Sequence, residues 1–100
     1  MILEVALLHI KANQDSKFEQ DFKVASQFIS SIPGYLRHSL QKCIEQPDKY
    51  ILLVEWNSLE DHTVGFRQSA VYQNWKELLH HYYDPFPVVE HFESVFENSV

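Results

Sequence analysis

A group of rings and imidazoles in the second half of the chain is the first candidate for chemistry. Trp56 is followed by His62 and Phe66, and then by Tyr72, Trp75 and Tyr82 at helical spacing. His91 lies further on, between Val89 and Glu93, and His9 lies near the start. An imidazole titrates close to neutral pH and can take or return a proton. An indole N–H or a guanidinium such as that of Arg67 can hold a developing oxyanion. Rings brought together between a sheet and its helices would wall a flat, dry cavity suited to an aromatic molecule. Each residue also has an ordinary role: Trp56, Phe66 and Trp75 as core, Tyr72 and Tyr82 as packing at a helix edge, and Arg67 as a solvated charge.

Other chemistries find no support. His80 and His81 are adjacent, so they point about 100° apart on a helix, and no other histidine pair has the four-residue spacing of metal ligands. There is no glycine-rich phosphate loop and no serine nucleophile motif. One cysteine, Cys43, excludes an internal disulfide and a cysteine-based zinc site. The expected ligand set is therefore metal: none, and no cofactor motif is visible.

One hundred residues, 45% hydrophobic and 22% charged, suit a single folded domain spanning 1–100. Eight basic against fourteen acidic residues give a net charge of −6. Without a lysine or arginine cluster, neither nucleic acid nor a membrane surface is an expected partner. Met1–Lys11 lacks a basic leader and a cleavage site, and no apolar run approaches about 18 residues, so a cytoplasmic protein is expected.

The elements that must position these groups can be read in order. Met1 to Lys11 is a strand interrupted only by Glu4 and His9. Phe18, Phe22, Ala25, Phe28, Ile29 and Ile32 form the stripe of a helix that Asp15 or Ser16 can cap and Pro33-Gly34 ends. Tyr35–Ile44 and Lys49–Trp56 flank a Gln46-Pro47-Asp48 turn, as a hairpin would. Ser58 opens a helix expected to carry Leu59, His62 and Phe66 on one face, with a break near Gln68-Ser69. Val71 to Tyr82 continues as a second helical stripe, and Val88 to Phe96 is the last strand. The order β-α-β-β-α(α)-β predicts an α+β, ferredoxin-like subunit with a four-stranded antiparallel sheet and helices on one face.

The other sheet face poses a problem. Side chains alternate along a strand, and three of the four strands are apolar on both faces. Ile2, Ala6, Leu8 and Ile10 oppose Leu3, Val5 and Leu7. Leu52, Val54 and Trp56 oppose Ile51 and Leu53, and Val88, Phe92 and Phe96 oppose Val89 and Val95. An uncovered apolar face of that extent exceeds what a soluble monomer normally exposes. A homodimer packed sheet against sheet is the expected solution.

Val54-Glu55-Trp56, then Asn57-Ser58-Leu59-Glu60-Asp61-His62, Gly65-Phe66-Arg67-Gln68-Ser69, Tyr72-Gln73-Asn74-Trp75 and Pro87-Val88-Val89-Glu90-His91-Phe92 form a series. It resembles the antibiotic biosynthesis monooxygenase domain family over nearly the whole chain. The resemblance implies a dimeric α+β barrel of two ferredoxin-like subunits, with a pocket inside each. It also implies a cofactor-independent oxygenase of small phenols or quinols, Trp56 matching the family's recurring tryptophan. On that reading His62 or His91 is the base and Trp56 the anchor, while Phe66, Arg67, Tyr72, Trp75 and His9 bind substrate. A non-catalytic dimeric ligand-binding module is the alternative. Haem-degrading relatives carry an asparagine on the first strand and a haem-ligating histidine on the last helix. The first strand here has no asparagine, and Trp75 stands in the region of the ligand, so haem degradation is disfavoured.

Overall fold

The computed structural model describes all 100 residues. Four strands, β1 (Ile2–His9), β2 (Tyr35–Lys42), β3 (Lys49–Trp56) and β4 (Val89–Phe92), form one antiparallel sheet in the order β2-β3-β1-β4. Two helices, α1 (Asp15–Ile29) and α2 (Ala70–Leu79), cover one face. The hairpin and the helix-to-strand order are those the sequence predicts. The core follows from alternation. Ala6 and Leu8 of β1 and Tyr50, Leu52, Val54 and Trp56 of β3 point toward the helices, where Phe18, Phe22, Ala25 and Ile29 of α1 meet them. Burying side chains of this size is worth about 1.5–3 kcal/mol each, which is what holds α1 to the sheet.

Polar ties secure the edges. Tyr50 donates to Glu19 and Tyr82 to Asp21, both at 2.5 Å, joining α1 to β3 and to the turn after α2. Tyr35, His38 and Ser26 form a chain from β2 to α1. Ser26 Oγ gives its proton to the Phe22 carbonyl at 3.0 Å and so accepts from His38 Nε2, also at 3.0 Å. The Tyr35 hydroxyl meets the other ring nitrogen. A serine whose proton is already committed is no nucleophile, so this chain is a latch.

Three elements differ from expectation. The segment opened by Ser58 is not an ordinary α-helix: Asp61–Phe66 is a π-turn, with the Arg67 N–H reaching the His62 carbonyl at 3.1 Å. The wider turn separates residues three apart, so Leu59 is 40% exposed while His62 and Phe66 are buried. The last strand stops at Phe92 instead of continuing to Phe96. In its register Phe92 lies opposite Leu3, so only Ile2 of β1 remains beyond it and the ladder runs out. Val95 and Phe96 are accordingly exposed. The α2 segment tightens into a 3₁₀ turn at His80–Tyr82.

Leu3, Val5 and Leu7 of β1, Ile51 and Leu53 of β3 and Phe92 of β4 share the sheet's second face, and no helix covers it. Leu7 is 47% exposed and Phe92 50% exposed. Polar residues fringe this patch, among them the Arg37–Glu55 ion pair at 2.9 Å.

Candidate functional site

The π-turn is built to aim His62. Ser58 Oγ accepts from the Asp61 N–H at 3.3 Å, and the Asp61 carboxylate accepts from the Ser58 N–H at 3.2 Å. This reciprocal box holds the first turn. Gly34, at φ +91°, lets the chain pass so close that a Cβ there would overlap the Asp61 carboxylate. Its carbonyl also takes the Asn57 N–H at 2.8 Å, fixing the path from β3 into the turn.

His62 therefore enters the layer between sheet and helices. Its ring stacks on Trp56 with centroids 5.3 Å apart and planes 19° from parallel. Phe66 follows one turn later and meets Tyr72 and Trp75 edge-on at 5.1 and 5.6 Å. Ser69 caps α2 by accepting from the Tyr72 N–H at 3.2 Å, which sets where Tyr72 and Trp75 sit. A cavity of about 360 Å³ opens beside these rings, between the sheet and α2. Phe66, Arg67, Tyr72, Trp75 and His62 line it, with Phe86 and Pro87 at the loop before β4.

Glu4 supplies the polar centre, and the sequence reading did not assign it. Its neighbours on β1 within the same face are apolar, and it is only 5% exposed. Trp56 Nε1 donates to Glu4 Oε1 at 3.0 Å, and His62 Nε2 lies 3.3 Å from the same oxygen. His62 Nδ1 is 2.7 Å from His91 Nε2. Burial pushes the Glu4 carboxyl up to about 7, against the smaller lowering effects of the Trp56 hydrogen bond and the Arg67 charge. Burial, with Arg67 and His91 adding to it, holds His62 down at about 3. His62 is thus neutral near pH 7. Its Nδ1 shares a hydrogen bond with His91 Nε2, and its Nε2 stands 3.3 Å from Glu4 Oε1. His91 is lowered too, by burial first and then by Arg67.

The sequence candidates divide by position. His62, Phe66, Arg67, Tyr72 and Trp75 come together on the cavity. His91 joins through His62. Trp56 is fully buried behind His62, so its N–H serves Glu4 and not the cavity. His9 does not join them. Its odd position on β1 puts it on the uncovered face, paired with Lys49, on the opposite side of the sheet from the cavity. Tyr82 is buried against Phe18 and Asp21. His80 and Tyr83 line the cavity, and burial raises the Tyr83 hydroxyl well above its ordinary range. Arg67 has no carboxylate within ion-pair distance, unlike Arg37 and Lys42. No group of three or more His, Cys, Asp or Glu side chains is placed to hold a metal ion.

A signal for Glu4 was present in the sequence: a lone carboxylate in phase with Ala6 and Leu8 inside an apolar strand. Its partners, more than fifty residues away, were not legible there.

Comparison with known proteins agrees with this architecture. Residues 1–78 match the family of antibiotic biosynthesis monooxygenases, and the chain belongs to that family. It is 56% identical over 95 residues to YczJ of Bacillus subtilis, an uncharacterized protein, covering 95% of this chain and all of that one. A Bordetella bronchiseptica protein assigned to the antibiotic biosynthesis monooxygenases superposes with a TM-score of 0.90 at 30% identity, over 95% of this chain and 97% of that one. SnoaB, a cofactor-independent oxygenase from Streptomyces nogalater, shares the fold with a TM-score of 0.70 at 17% identity, over 99% of this chain and 95% of that one.

Proposed function

We propose that this protein is a cofactor-independent monooxygenase that inserts one oxygen atom into a small phenol or quinol held in the cavity beside Glu4 and His62. The observation that carries the reading is a buried carboxyl–imidazole–imidazole cluster at the wall of an aromatic cavity. Oxygenation without a cofactor requires the substrate to supply the electrons, so the phenol must become an anion before it meets oxygen. The cluster formed with His62 and His91 accepts that proton, and Trp56 fixes the cluster from behind. Phe66, Tyr72 and Trp75 hold the ring, and the unpaired Arg67 guanidinium favours the phenolate. The oxygen then adds at a ring carbon that bears hydrogen. Loss of that hydrogen and of hydroxide from the peroxide leaves a carbonyl and one water. A phenol and O2 thus give a quinone and water, with all four electrons drawn from the arene.

The protein acts as a cytoplasmic homodimer, its two uncovered sheet faces packed together into a barrel. Leu3, Val5, Leu7, Ile51, Leu53 and Phe92 supply the apolar contact that supports this assembly.

Oxygen uptake by protein stripped of flavin, haem and metal, against a panel of naphthols and naphthohydroquinones, tests the reading. The expected result is protein-dependent consumption of one O2 per quinone formed. Tight binding of the same compounds with no consumption would make the protein a ligand-binding module, and a Soret band on adding haemin would point to haem chemistry instead.

A further inference from the structure

We propose that Glu4 is the residue that takes the proton from the substrate hydroxyl and later returns it, with His62 and His91 as positioning residues that hold its carboxyl in place. This deepens the oxygenase reading and rests on it.

The two oxygens of Glu4 have different tasks. Oε1 accepts from Trp56 Nε1 and faces His62 Nε2. Oε2 has no hydrogen bond within the chain, yet no buried side-chain oxygen or nitrogen lacks a partner, so Oε2 is not sealed in the core. Glu4 lines the cavity, and Oε2 is the oxygen left to meet what enters it. His62 lines the same cavity, its Nδ1 bonded to His91 and its Nε2 3.3 Å from Glu4 Oε1. The carboxyl thus presents an oxygen without a partner in the chain to whatever enters the cavity.

The cluster is tied together at two points. A hydrogen bond of 2.7 Å joins His62 Nδ1 to His91 Nε2, which sets the His62 ring with Nε2 3.3 Å from Glu4 Oε1. Trp56, from β3, donates to Oε1 and so orients the other oxygen. The remaining charged or titratable groups at the cavity are Arg67, after the π-turn, Tyr72 on α2, and His80 and Tyr83 beyond it. Arg67 favours the ionised carboxyl, while burial opposes it more strongly and brings it near neutrality. A base poised there can accept and return a proton within one turnover. The proton passes from the phenol oxygen to Oε2, the phenolate reacts with O2, and Glu4 gives that proton to the departing hydroxide as water forms. The ring C–H proton passes to the terminal peroxide oxygen as the O–O bond breaks and the carbonyl forms, so both hydrogens of the water come from the substrate and Glu4 ends the turnover as the carboxylate that began it.

The test combines binding and turnover in the intact protein. Calorimetric titration with 4-nitrophenolate at about pH 8, in buffers of different ionisation enthalpy, counts the protons taken up on binding. Wild type should take up close to one, because two facing oxyanions share a proton, and Glu4→Gln should take up none while still binding. Glu4→Asp, which keeps the acid on a shorter arm, should recover part of the uptake. Oxygen consumption with a naphthohydroquinone should fall about 100-fold or more in Glu4→Gln. The pH midpoint of that reaction should shift in His91→Gln, where a merely structural role would leave it in place. Equal proton uptake by wild type and Glu4→Gln, no uptake by wild type, or absence of nitrophenolate binding would each overturn the assignment. If no quinol is oxidised but the uptake difference stands, the oxygenase reading fails while Glu4 remains the group that meets the phenol oxygen.

Discussion

The Glu4 and His62 side chains pull the pH dependence of stability in opposite directions. Glu4 titrates higher in the folded chain than the ordinary 4.5, at about 7. Between those values the unfolded chain has lost the proton and the folded chain keeps it, so this group's contribution falls as pH rises. His62, lowered from 6.5 to about 3, does the reverse: the unfolded chain gains a proton first, and stability is lost as pH falls below 6.5. Glu4→Gln removes only the first effect. Its stability relative to wild type should therefore improve between about pH 4.5 and 7, by on the order of 3 kcal/mol in all. Urea unfolding at fixed protein concentration measures this, and a difference that does not change with pH would contradict the burial of Glu4. Trp56→Phe keeps the ring and loses the N–H that lowers Glu4. Any activity that depends on Glu4 should then shift its midpoint to higher pH, as read from rate–pH profiles. Trp56→Ala should also cost about 3–5 kcal/mol in the packed layer.

At the scale of elements, the turn that delivers His62 depends on three residues from two places. Gly34 has a positive φ and lies against the Asp61 carboxylate, which in turn closes the box with Ser58. Gly34→Ala should destabilise by about 1–2 kcal/mol from the backbone alone, and by more through overlap with Asp61. In an Asp61→Ala background the second part should disappear. A double-mutant cycle in urea measures that coupling, and additive losses would contradict the contact. Sequence periodicity made the helices, the hairpin and the cap at Ser58 legible. It did not make the π-turn legible, because His62 and Phe66 have four-residue spacing that fits an α-helix equally well. Nor did it give the end of β4: Val95 and Phe96 continue the apolar alternation, but β1 has no residues left to pair with them. The ring cluster of the site was readable because its members lie on adjacent elements. The carboxyl at its centre was missed because a glutamate in a strand signals its importance only when its distant partners are known.

At the scale of the whole molecule, strand alternation leaves an apolar sheet face that no helix covers. Leu7 and Leu53 lie on neighbouring strands there, and adding charge leaves the helix-side core untouched. Leu53→Glu should give a folded particle near 11.8 kDa in sedimentation, and wild type should sediment at twice that mass. A wild-type monomer at micromolar concentration would contradict the proposed pairing, and a Leu53→Glu chain that stays paired would place the contact elsewhere. The chemistry has its own test. Protein free of flavin, haem and metal, turning over a naphthohydroquinone under isotopically heavy O2, should place one heavy atom in the hydroxyquinone and the other in water. Product without heavy oxygen, with the gas recovered as hydrogen peroxide, would contradict a monooxygenase built around this cavity.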